Sequence, residues 1–105
     1  MPTPDRGSVW ITDLGMAAKI RPCLVLSVPP TLQDRALVTL VPHTTSARGT
    51  RFEIAIPLRF LRQQGVFDAQ QIVTVPQVKL IRRLGNLQVS ELKSVEDVVR
   101  HWLAL

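Results

Sequence analysis

The stretch Lys19-Ile20-Arg21-Pro22-Cys23-Leu24-Val25-Leu26-Ser27 puts one arginine at the mouth of an apolar run. From Cys23 to Leu26 the run is unbroken and strand-sized, the pattern of a strand covered on both faces. Pro22 has no N–H to give a central ladder, so it fits as the first residue of that strand. Arg21 then lies at the rim of the core, where a guanidinium on an ordered backbone can meet a phosphate. A second apolar run, Ala36-Leu37-Val38-Thr39-Leu40-Val41, also ends in a proline and is followed by His43-Thr44-Thr45-Ser46. Two buried strands whose ends carry Arg, His and hydroxyls form the two walls of a polar site.

Upstream, Arg6-Gly7-Ser8 turns the chain into a first strand, Val9-Trp10-Ile11, ended by Asp13-Leu14-Gly15, and residues 15–19 make a small-residue loop. Downstream, Phe52-Glu53-Ile54-Ala55-Ile56 alternates as a half-exposed strand. Pro57 starts a helical turn through Leu58 and Leu61, with Arg59 and Arg62 outward, and Gly65 ends it. Gln71-Ile72-Val73-Thr74-Val75 reads as a β-branched strand stopped by Pro76, and residues 78–84 as a short turn with Leu80 and Leu84 inward. Leu92, Val95, Val98, Val99, Trp102 and Leu103 recur at helical spacing and predict one amphipathic C-terminal helix. Ser90 or Ser94 caps it, and Ser94 with Asp97 has capping-box spacing. The fold class is mainly β with helices (α+β): a small, strongly bent antiparallel sheet or open barrel with the helix against it.

With 105 residues, 46% of them hydrophobic, the chain reads as a single domain over 1–105. Cys23 is the only cysteine, so neither a disulfide framework nor a Cys/His metal cluster is expected, and the residues imply no cofactor. Its apolar runs are far short of the ~20 residues a membrane helix needs, and no secretory signal is expected. A reducing cytoplasm is the expected compartment. The formal net charge is +5, and the cations comprise ten arginines and three lysines. That balance favours planar, forked contacts to phosphate and makes nucleic acid or an acidic protein a plausible partner, with a merely solvated surface as the plain alternative.

Taken in order, Arg6-Gly7-Ser8-Val9-Trp10, Asp13-Leu14-Gly15, Arg21-Pro22-Cys23-Leu24-Val25-Leu26-Ser27, Val41-Pro42-His43-Thr44-Thr45-Ser46, Gln71-Ile72-Val73-Thr74 and Leu84-Gly85-Asn86-Leu87 resemble the PemK/MazF family of toxin endoribonucleases from toxin–antitoxin pairs. The resemblance implies an SH3-like barrel with a C-terminal helix, usually as a homodimer, and metal-independent cleavage of single-stranded RNA. It also implies a cognate antitoxin whose acidic, extended segment fills the RNA groove. Arg21 and Thr44 fall on the family's catalytic positions. The loop Met16-Ala17-Ala18-Lys19-Ile20 is shorter than the family's common Gly/Gln-rich loop. Val73 stands where some members carry an arginine, and Lys79 where many have arginine near Leu80.

Cleavage of this kind uses the ribose 2′-OH as nucleophile and leaves 2′,3′-cyclic phosphate and 5′-OH ends. Charge builds on the phosphoryl oxygens, where fixed donors are worth most. Arg21 suits that role, against the plainer alternative of an ion pair with Asp13 or Glu53. Thr44 donates a hydrogen bond to the same phosphate, or its hydroxyl serves a turn. His43 is a candidate acid or base, although strand alternation turns it away from the face of Thr44. Lys19, Thr45, Ser46, Arg48, Arg51 and Gln71 are candidate RNA contacts. Cys23 reads as a buried hydrophobe, His101 as exposed, and Trp102 as a core or dimer contact. The competing function is a non-catalytic binding protein on the same fold, poisoning gyrase or sequestering an antitoxin.

Overall fold

A computed structural model describes residues 3–15 and 19–105. The chain forms seven antiparallel strands and a C-terminal helix: β1 (Ser8–Asp13), β2 (Ile20–Val25), β3 (Leu37–Thr44), β4 (Glu53–Ile54), β5 (Val66–Asp68), β6 (Val73–Pro76), β7 (Leu80–Asn86) and α1 (Val89–Leu103). The sheet runs β4-β5-β3-β2-β1-β7, and β6 joins it on β3. It is strongly bent and open, since β4 and β7 end it without pairing. The expected class, a bent antiparallel sheet with one C-terminal helix, is what forms. The short loop before Arg21 lies largely outside the described residues, which omit Met16, Ala17 and Ala18.

The bend is written into β3. Residues 37–40 pair with β6, whereas His43 and Thr44 pair with Phe67 and Val66 of β5. Val41 and Pro42 fall between those partners. On the other side Leu26 N–H donates to Thr39 O across 2.9 Å, and the ladder alternates from there. The position of Pro42 is therefore one whose N–H would point away from β2, into the gap between β5 and β6. A proline there forfeits no ladder bond, so β3 continues through Pro42 to Thr44 instead of ending before it. Pro22 likewise lies inside β2, opposite Ile11 of β1, and not at its start. Pairing with β3 begins only one residue later, at Cys23 opposite Pro42, so Pro22 has an unpartnered side for its missing donor.

Both faces of the central strands are buried, as the unbroken apolar run requires. Val9, Leu24 and Val41 join Phe52, Phe67, Val95 and Val99 in a core beneath α1. Their neighbours Trp10, Cys23, Val25 and Leu40 join Val38 and Leu80 in a second core on the opposite face. The indole N–H of Trp10 is satisfied at 2.9 Å by Ser8 Oγ, so its large ring is buried without an orphaned donor.

Five local expectations change. The expected strand at 52–56 shortens to Glu53–Ile54. Gln71 leaves the later strand for a single 3₁₀ turn, Ala69–Gln71, in which the Gln70 N–H donates to Asp68 Oδ1. The segment 57–65 forms one turn, closed by Leu61 N–H on Leu58 O at 3.2 Å, and no helix. The residues read as a turn before Leu84 instead form β7, which pairs with β1 along its length after a short 3₁₀ turn. Helix α1 begins at Val89, earlier than either serine predicted, because Leu87 buries and the chain enters the helix at once. Gln88 N–H donates to Glu91 Oε1 at 2.8 Å, while Ser94 lies inside the helix with its Oγ on Ser90 O. Of the apolar stripe, Val95 and Val99 are buried, whereas Trp102 and Leu103 remain partly exposed at the C-terminal end.

Candidate nucleic-acid site

The β2–β3 ladder ends at the Cys23/Pro42 pair. Two residues further along each strand, on that same face, stand Arg21 and Thr44; the two positions keep the register but no longer pair. The strand ends thus part at the very residues that carry the guanidinium and the hydroxyl. Two clefts open from this point, and both are lined by Arg21, Thr44 and Ser46. One, of about 660 Å³, lies on the face of Leu24 and Val41, between β1, β2, β7 and the 58–64 segment. The other, of about 630 Å³, lies on the face of Cys23 and Leu40, towards β6. Arg21, Thr44 and Ser46 form the ridge between them.

Thr44 Oγ1 accepts the Ser46 N–H at 3.0 Å. The turn-forming reading of this hydroxyl is therefore realised, and it leaves the hydroxyl hydrogen free to point at a ligand on the ridge. Asp13 and Glu53 both accept backbone N–H groups. Asp13 accepts Gly15 N–H at 2.8 Å. Glu53 gathers the N–H groups of Arg48, Gly49 and Thr50, which, led by that of Arg48, hold its carboxyl below the usual range.

His43 obeys strand alternation: it lies on the core face beneath α1, 3% exposed, its ring edge-on to Phe67 at 5.1 Å between centroids. It nevertheless forms part of the floor of the larger cleft, because that cleft opens on its face. Among the described residues its Nε2 has no hydrogen-bond partner. Burial, with a smaller contribution from the Arg21 charge, holds its pKa below the ordinary 6.5, so the ring is neutral at pH 7. The Cys23 thiol, by contrast, is pushed up to about 12, chiefly by burial, and is an inert part of the core.

The remaining candidates divide between the clefts. Lys19, Thr45 and Ser46 line the larger one, and Arg48, Gln71 and again Ser46 the smaller. Arg51 lines neither; its guanidinium carbon sits 4.6 Å from the centroid of the Phe52 ring. Sequence reasoning overlooked Arg62, Gln63 and Arg82, which all line the larger cleft. No alternating pattern marks Arg82 as a strand residue, because two irregularities in the β1–β7 register put Leu80 in one core and Leu84 against the other. No three His, Cys, Asp or Glu side chains converge among the described residues in a way that would hold a metal ion. The donor set of the slot is instead cationic and hydroxylic, suited to a polyanion.

An open, sharply bent antiparallel sheet with one covering helix defines a small β-fold whose candidate site is a cationic slot at the parted ends of its central strands. The chain belongs to the PemK-like, MazF-like toxin family of type II toxin–antitoxin systems, whose model matches residues 5–103. Its fold is similar to that of MazF from Deinococcus radiodurans (TM-score 0.82, 25% identity, all of both chains covered). It is also similar to the Mycobacterium tuberculosis toxin MazF-mt6 (TM-score 0.80, 26% identity, 93% of this chain and 97% of that one). A third similar structure is a mycobacterial endoribonuclease in complex with its cognate antitoxin (TM-score 0.79, 25% identity, 100% and 97% covered). Among the described residues, no helix is long and apolar enough to cross a membrane.

Proposed function

We propose that this toxin is an endoribonuclease that cuts single-stranded RNA by attack of the ribose 2′-OH on the adjoining phosphorus, without a metal ion. The observation that carries this reading is the ridge of Arg21, Thr44 and Ser46 between two clefts. A phosphate on the ridge leaves room for the nucleotides before and after it, one in each cleft. As the 2′ oxygen attacks and the 5′ oxygen departs, charge grows on the two non-bridging oxygens. Arg21 neutralises that charge and the Thr44 hydroxyl donates to it, both from strand-held positions that need little reorganisation. His43 is the only imidazole lining either cleft, and its neutral ring is able to take the 2′-OH proton. Of the carboxylates lining the smaller cleft, Glu53 is the poorer base because backbone donors saturate it, while Asp68 Oδ1 accepts the Gln70 N–H.

Lys19, Thr45, Arg48 and Gln71 extend the slot along the strand in either direction, and a chain of net charge +5 favours a polyanion there. In this reading the same slot receives the acidic segment of a cognate antitoxin, and the toxin acts as a homodimer in the cytoplasm. The test is digestion of single-stranded RNA in EDTA with end-group analysis. The expected products carry 2′,3′-cyclic phosphate and 5′-OH ends, and a substrate with 2′-deoxy at the scissile position resists. Equal cutting of the deoxy substrate rules out the mechanism. Growth arrest that survives Arg21→Ala points instead to a non-catalytic poison.

A further inference from the structure

The larger cleft has a wall that the proposed cleavage chemistry does not use. The segment 58–64 has no regular secondary structure, yet it is held at three points. Inside it, the Gln64 side-chain carbonyl accepts Leu58 N–H at 3.0 Å, and its amide donates to Leu58 O at 2.9 Å and Leu61 O at 3.3 Å. At one edge the Phe60 ring lies directly on Gly85 of β7, where a methyl group would come within 2.5 Å of it. Just past the other edge, the Gly65 backbone presses on β3, where a methyl group would lie 2.1 Å from Thr44 O. Leu58 and Leu61 are buried beneath. A loop secured this way, with Arg62 and Gln63 left outward and lining the cleft beside Thr44, is built to present those two side chains.

Across the cleft, the tandem arginines of β7 are divided in role. Arg83 is taken up by Asp5 at 3.4 Å and Asn86 at 2.6 Å, whereas Arg82 lines the cleft with no ion-pair partner among the described residues. The cleft between Arg62 and Arg82 has an apolar floor, supplied by Phe60, Leu61 and Leu84. An apolar floor, one side-chain amide and two guanidiniums lining the same cleft match an unstacked nucleotide, with the base on the floor and the phosphate at the rim.

Building on the ribonuclease reading, we infer that the 58–64 loop selects the nucleotide next to the scissile phosphate, with Gln63 hydrogen-bonding the base edge and Arg62 and Arg82 holding the adjoining phosphate. An amide presents a donor and an acceptor side by side and distinguishes base edges, whereas guanidiniums on phosphate add affinity without sequence preference.

The experiment pairs digestion of a random single-stranded RNA pool, with cut sites sequenced, and binding of a non-cleavable 2′-deoxy-substituted pool across a salt series. Gln63→Ala is expected to relax base preference at one position beside the cut, with overall cutting kept within about tenfold. Arg62→Ala and Arg82→Ala are each expected to weaken binding and to lower the log–log salt slope by about 0.7. Wild-type cleavage with an unchanged preference in Gln63→Ala and unchanged slopes in the arginine variants overturns the assignment while leaving the nuclease reading intact. A wild type that binds but does not cut, with the bound sequences altered by Gln63→Ala and the slopes lowered, overturns the nuclease reading and supports the loop. A wild type that neither binds nor cuts overturns both.

Discussion

Lys19 adopts a left-handed backbone conformation, φ 59°, at the edge of the larger cleft. A side chain there is strained by about 1 kcal/mol, and glycine is the residue that relieves it. Retaining a lysine at such a place makes sense if its charge is used. Lys19→Gly is therefore expected to leave stability unchanged or raise it by up to ~1 kcal/mol, while weakening RNA binding several-fold. Denaturant titration alongside a binding isotherm separates the two effects, and a parallel loss of both would show Lys19 to be structural.

His43 makes a prediction of the opposite kind, in which stability depends on pH. Burial, aided by the Arg21 charge, depresses its folded pKa below the ordinary 6.5. Between those two values the unfolded chain binds a proton that the folded chain does not. The contribution to stability is thus complete above about 6.5 and is lost as pH falls through the depressed folded value, at no more than ~1.4 kcal/mol per pH unit. Urea midpoints measured from pH 7.5 to 5.5 are expected to fall more steeply for the wild type than for His43→Gln. The cleavage rate is expected to share that acid limb and to be flat on the alkaline side through neutrality, because the proton acceptor is already free.

At the scale of elements, the slot exists because β2 and β3 stop pairing at Cys23/Pro42 and because the 58–64 loop is docked beside them. The two docking glycines meet different obstacles. A Cβ on Gly65 meets the backbone carbonyl of Thr44, which cannot move without shifting β3. A Cβ on Gly85 meets only the Phe60 ring, which is able to swing away. Gly65→Ala is accordingly expected to cost at least ~2 kcal/mol, roughly 10 °C in Tm for a domain of this size, and Gly85→Ala distinctly less. Differential scanning calorimetry checks the order. Much of this layer was legible in the chain: the apolar runs marked the two central strands, although both prolines lie inside those strands and not at their ends, and the helical stripe marked α1. The 58–64 loop and β7 were not. Leu58, Leu61 and Gly65 suit a helical turn by local spacing, and only Gln64 folding back on Leu58 and Leu61 gives the segment its actual course.

At the scale of the molecule, two cores share the same three strands. Val9 and Trp10, Cys23 and Leu24, and Leu40 and Val41 contribute neighbouring residues to opposite faces. Neither core is able to dissolve without releasing the other, so the domain is expected to unfold in one step. Val95→Ala, which removes a fully buried side chain from the core under α1, is expected to cost about 2 kcal/mol. In a Trp102→Phe background, where Trp10 alone reports the opposite core, fluorescence and far-ultraviolet circular dichroism are expected to shift together in that variant. Transitions that separate would show that the cores melt independently.

The sequence by itself determined the fold class, the two buried strands, the helix, and Arg21 and Thr44 as the polar residues beside their apolar runs, because apolar runs and their periodicity are local properties of the chain. It also determined the opposing faces of His43 and Thr44, since alternation follows from strand geometry alone. Only the tertiary structure decided that both residues still border one slot, that Arg62, Gln63 and Arg82 complete its larger side, and that Arg51 lies outside it. Those outcomes depend on where separate strands part and where a loop finds its footing on glycine, contacts between residues far apart in the chain that no local pattern encodes.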